Sequence, residues 1–115
     1  MIEFLFWEGC PSHERALADL IAVLDDFGLE REHLRITEVH NERDAERERF
    51  IGSPTIRVDD VDLVDPGETA FGLNCRLYYR ADGSPSPTPD PEAVRAAVAK
   101  YSDETKHESK PQKED

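Results

Sequence analysis

The chain reads as an open α/β sandwich in the order β-α-β-α-β-β-α, a mixed sheet with flanking helices. Three observations predict it. Short apolar or β-branched runs recur at Ile2–Trp7, Leu34–Val39 and Thr55–Val58. Stretches of helical period separate them, and parallel strands need such crossovers. A later aromatic run and a final capped helix complete a ββα ending. A length of 115 residues suits one domain.

Each element has a local reason. Ile2–Trp7 is continuous and apolar, as a buried central strand should be. Gly9 interrupts it, and Cys10-Pro11 opens a helix, since proline is favoured where the backbone N–H lacks an intrahelical partner. Leu17, Leu20, Ile21, Leu24 and Phe27 predict its buried face, and Gly28 its end. Leu34–Val39 alternates as a second strand, with Leu34, Ile36 and Glu38 on one face. Asn41 caps a short charged helix to Phe50, and Gly52-Ser53-Pro54 breaks it. Thr55–Val58 is the third strand, turned by Asp59-Asp60.

A loop is expected over Asp65–Asn74, then a strand over Cys75–Tyr79, then a stiff proline-rich connector over Ala81–Pro89. Asp90-Pro91-Glu92 starts the last helix with a cap, a first-turn proline and a first-turn acid. Val94, Ala97, Val98 and Tyr101 form its buried face. No large apolar residue follows Tyr101. The reading therefore places the domain at residues 1–101 and a charged, disordered tail at Ser102–Asp115.

Charge and length exclude some roles. A formal net charge of −12 repels phosphate backbones, which argues against a nucleic-acid partner. No run approaches a membrane-spanning length. The N-terminal apolar run is too short for a signal-peptide core and lacks a preceding basic region. The expected setting is cytoplasmic. There, two cysteines make no structural framework. Cys10 and Cys75 are either inert packing or the chemistry.

Cys10 stands where a strand gives way to a helix. The partial positive charge of the helix end stabilises a thiolate and lowers the thiol pKa. The alternative is a small buried hydrophobe. His13, three residues on, shares that end of the helix, where it would serve as proton donor, thiolate partner or metal ligand, or else as a solvated first-turn residue. Ser53-Pro54-Thr55 lies at the mouth of the third strand, where an ordinary trans proline is also accommodated. Cys75 is a second thiol or a buried strand cysteine. Glu8 and Glu14 flank Cys10 and read mainly as solvated. Trp7 reads mainly as packing.

Phe6-Trp7-Glu8-Gly9-Cys10-Pro11-Ser12-His13, followed by Gly52-Ser53-Pro54-Thr55, resembles thioredoxin. In that family a tryptophan precedes Cys-x-x-Cys at the first helix, and a cis-proline loop faces it. The resemblance implies a thioredoxin-like fold and a cis Ser53–Pro54 bond facing Cys10. It also implies that Trp7, Ser53, Pro54 and Thr55 contact an extended substrate. His13 replaces the second cysteine of the motif, so Cys10 has no local disulfide partner. The pair Cys10 and Cys75, 65 residues apart, is similar to that in the thioredoxin-like core of alkylmercury lyases. There two cysteines share a site that binds mercury. The acid found three residues after the lyase's first cysteine is His13 here.

The leading expectation is a thiol-dependent redox protein without a cofactor. Cys10 is the nucleophile, Cys75 the resolving thiol, and His13 an auxiliary catalytic residue. Its partners are a thiol or disulfide substrate, or a reducing partner protein. The alternative is a lyase-like or metal-binding site in which Cys10 and Cys75, with His13, hold mercury, zinc or copper. A third reading is a partner-binding domain that keeps the fold without the chemistry.

Overall fold

The structure is a computed structural model that describes the backbone of residues 1–114 and the side chains of residues 1–105. The sheet is mixed, in the order β2-β1-β3-β4. β1 (Ile2–Phe6) is central and pairs in parallel with β2 (Leu34–Glu38). On its other side it pairs antiparallel with β3 (Thr55–Val58). β4 (Val61–Asp62) returns beside β3 through a tight turn in which Asp59 and Asp60 both have positive φ. The helices are α1 (His13–Asp26), α2 (Glu42–Glu48) and α3 (Pro91–Glu114).

Strand alternation divides β1 between two cores. Ile2 and Phe4 pack with Ile56, with Leu20 and Leu24 of α1, and with Val98 of α3. Leu5 packs on the opposite side with Val39, with Ala45 of α2, and with Phe50. Each such side chain contributes roughly 1.5–3 kcal/mol when fully buried. The result is three layers, with β1 and β3 holding the middle.

Several sequence expectations need correction. α1 begins at His13, not Pro11, because residues 7–10 close a turn in which Cys10 N–H donates to the Trp7 carbonyl at 3.0 Å. Its fully buried positions are Ala16, Leu20, Val23 and Leu24, a face rotated from the expected one. Ile36 is exposed because β2 lies at the sheet edge. The fourth sheet strand is Val61–Asp62, not Cys75–Tyr79. Tyr78–Tyr79 (β5) instead pairs with Pro85–Ser86 (β6), inside the expected connector, to form a separate small ribbon. α3 continues past Tyr101, and Ser102 is buried, so the expected tail boundary does not end the helix. For side chains from residue 106 onward, the expected disorder lies outside the described residues.

Among the described residues, no helix is long and apolar enough to cross a membrane.

Two devices shape the loop between α2 and β3. Asn41 Oδ1 accepts from Asp44 N–H at 2.8 Å and caps the start of α2. Arg49, left-handed at φ 55°, ends that helix. From β3, the Arg57 guanidinium donates to the Glu48 and Arg49 carbonyls at 2.6 and 3.0 Å, satisfying acceptors that helix ends leave open. Phe50 is thereby held in the second core, and the chain enters Gly52-Ser53-Pro54 from a fixed point.

Candidate functional site

Cys10 lies in the turn between β1 and α1. Gly9 before it lets the Trp7 ring lie close, because a Cβ there would stand 2.4 Å from that ring and the indole would have to shift. The indole lies over this backbone and packs against the second core, so Trp7 shapes the turn. Cys10 is 2 % exposed. Its Sγ lies 3.4 Å from Ser12 Oγ, and it donates to the Ser53 carbonyl at 3.5 Å. Ser12 is the N-cap residue of α1, but its hydroxyl caps no backbone N–H and faces the sulfur instead.

The Ser53–Pro54 bond is cis. Pro54 is buried, and its carbonyl accepts from the Tyr78 hydroxyl. Burial, with only partial relief from the Arg76 charge, holds the Tyr78 phenol protonated far above its ordinary pKa. Thr55 is also buried, and its Oγ1 donates to the Gly52 carbonyl at 2.7 Å. Thr55 and Pro54 thus stiffen the loop around Ser53.

Ser53 is the meeting point. Its N–H donates to the Asn74 carbonyl, and its carbonyl accepts from Arg76 N–H, both at 2.8 Å. These bonds set Cys75 opposite Ser53 in a parallel bridge. Cys75 is exposed, and through Ser53, which its backbone bridges and whose carbonyl the Cys10 thiol meets, the structure brings together two cysteines distant in sequence. The backbone groups of Ser53 expected to align an extended substrate are engaged by the chain's own residues 74 and 76.

The electrostatics separate the two thiols. Burial opposes ionisation of Cys10. The Cys75 thiol, the Ser12 hydroxyl and backbone N–H, and the Ser53 hydroxyl outweigh it, and the Cys10 pKa falls below the ordinary value of 9.0. Cys75 moves the other way, to about 11, because the neighbouring Cys10 thiol favours its protonated form, with burial and the Cys10 charge adding to this. Of the two thiols, Cys10 thus gives up its proton more readily than Cys75. Ser53 Oγ is fully buried and has no hydrogen-bond partner among the described residues.

His13 is not part of this contact set. Its ring stacks on Phe6 at 4.6 Å between centroids, and no hydrogen bond joins it to the Cys10 sulfur among the described residues. The expected three-ligand group of Cys10, Cys75 and His13 is not assembled: no cluster of three or more potential metal-ligating side chains occurs among the described residues. Two of the cavities described lie away from the thiols, one of about 310 Å³ between β3-β4 and α3 and one of about 360 Å³ beside Arg49 and Phe71.

Sequence reasoning missed the residues that carry Cys75 to its place. Arg76 is 7 % exposed at its side chain and pairs with Asp62 at 2.9 Å. It also donates to Thr55 Oγ1 at 3.1 Å and to the Val64 carbonyl at 2.8 Å, and it lies over the Tyr78 ring at 4.9 Å. The one local signal was Gly52. A Cβ there would stand 3.1–3.2 Å from Arg76, the close backbone approach that a glycine beside a strand entrance marks.

Comparison with protein-family models, with curated proteins and with solved structures gives no match.

Proposed function

We propose that the chain is a thioredoxin-like, thiol-dependent redox protein whose working group is the Cys10–Cys75 pair. The observation that carries this reading is the meeting of both cysteines at Ser53, one through its thiol and one through its backbone, with opposite pressures on their protons. The sheet order, the two-helix face, and a cis proline beside a cysteine before the first helix support the thioredoxin-like part.

The chemistry follows from the proton distribution. The Cys10 thiolate attacks one sulfur of a disulfide, the S–S bond breaks, and the other half leaves as a thiolate that takes a proton from water. Cys75 then loses its proton to water and attacks the Cys10 sulfur. The substrate's second half leaves as a thiol, and a Cys10–Cys75 disulfide remains. The substrate gains the two electrons that the cysteine pair loses. An external reductant, thiol or protein, returns the pair to the reduced state, as suits a cytoplasmic setting.

The test is the alkylation rate of Cys10 against pH. The midpoint should lie below the ordinary thiol value in the wild type and move upward in Cys75→Ala, which removes the main hydrogen bond to the thiolate. A midpoint at the ordinary value in both proteins contradicts the reading.

A further inference from the structure

An extended polypeptide docks on exposed backbone by adding a strand: it needs a free N–H and a free carbonyl on one residue of the edge. At Ser53 both are taken. The segment Gly72–Arg76 runs beside the loop, with Gly72 N–H donating to the Phe50 carbonyl at 3.0 Å, Ser53 N–H to the Asn74 carbonyl, and Arg76 N–H to the Ser53 carbonyl. Asn74 Nδ2 adds a bond to the Ile51 carbonyl at 3.3 Å. Arg76 pins the end through Asp62, Thr55 and Val64. The chain thus sets its own cysteine opposite Ser53, where an incoming peptide would set the sulfur to be attacked.

We propose that this strap reserves the Cys10 thiolate for low-molecular-weight disulfides and excludes polypeptide disulfides. The proposal rests on the thiol-redox reading above and gives it a substrate class. A small disulfide needs no backbone bonds at Ser53 to react with the Cys10 sulfur. A peptide must first displace residues 72–76.

The test uses Cys75→Ser protein, so that Cys10 is the sole thiol. Two reagents carry the same leaving group, a thionitrobenzoate disulfide of free cysteine and one of an unfolded peptide containing a single cysteine. Release of thionitrobenzoate reports each rate. The cysteine reagent should react at least about 30-fold faster than the peptide reagent. Loosening the strap should bring the two rates within about threefold. Arg76→Ala removes the anchor. Gly52→Ala pushes on the Arg76 backbone while leaving the Arg76–Asp62 pair in place, which serves if Arg76→Ala does not fold. Equal rates for both reagents in the Cys75→Ser protein overturn the proposal, as does a ratio that neither folded strap variant changes. A depressed Cys10 midpoint in the wild-type protein with equal rates sinks the strap alone. An ordinary midpoint in the wild-type protein with slow reaction of both reagents sinks the redox reading and the strap together.

Discussion

A buried hydroxyl without a partner costs a fold about 1–3 kcal/mol, and Ser53 carries one beside Cys10. The proposed function gives it a use, as a donor to the Cys10 sulfur when that ionises. Ser53→Ala should therefore separate stability from reactivity. Thermal unfolding of the reduced protein should show an unchanged or raised Tm, while Cys10 alkylation at neutral pH slows because one donor to the thiolate is gone. A lower Tm with unchanged reactivity contradicts that role. The two thiols also pull stability in opposite directions with pH. Cys10, lowered on folding, stabilises the fold above the ordinary thiol value of 9.0, and this is lost as pH falls through its folded pKa. Cys75, raised on folding to about 11, stabilises the fold below 9.0, and this is lost as pH rises through about 11. Denaturant titrations of the reduced protein should show a loss of stability between pH 9 and 10 that Cys75→Ser removes, while above pH 10 the buried Tyr78 phenol adds a loss of its own. A loss in the lower range that persists in Cys75→Ser would assign it to other groups.

At the scale of elements, Arg76 and Asp62 join the small ribbon to the sheet. Both side chains are nearly buried, at 7 % and 10 % exposure, so removing one partner strands a charge. Asp62→Ala should cost about 3–5 kcal/mol, and adding Arg76→Met should restore much of it. Denaturant midpoints for the two single variants and the double variant form the cycle that checks this, and purely additive losses would show that the pair is not coupled. The same elements show what the sequence made legible. β1, β3 and the start of α3 stood out because each states its identity locally, through apolar runs, β-branched alternation and a capped proline start. Cys10 and Ser53-Pro54 stood out for the same reason. The strap did not. Cys75–Tyr79 has the composition of a strand, but its Cys75–Arg76 part is held by one bridge to Ser53 and an ion pair to Asp62, contacts set by chain positions that no local pattern encodes. His13 depends on tertiary placement in the same way: its spacing from Cys10 allows a shared helix face, yet the helix begins only at His13, and its ring stacks on Phe6.

Over the whole molecule, the sheet serves to bring two loops to one place. β1 delivers Cys10 from the centre, antiparallel β3 starts where β1 ends, and Ser53 at its entrance therefore meets the β1–α1 turn. The long excursion from β4 returns Cys75 to the same point. The central claim is that these two sulfurs are one redox site, and its most direct measurement is the product of mild oxidation. Reduced protein is treated with a small disulfide, and the thiols are counted and mapped by proteolysis and mass spectrometry. The expected result is a monomer with no free thiol and a single peptide pair joining Cys10 to Cys75. A product in which exposed Cys75 is joined to a second chain or to the reagent, with Cys10 still alkylatable after unfolding, contradicts it.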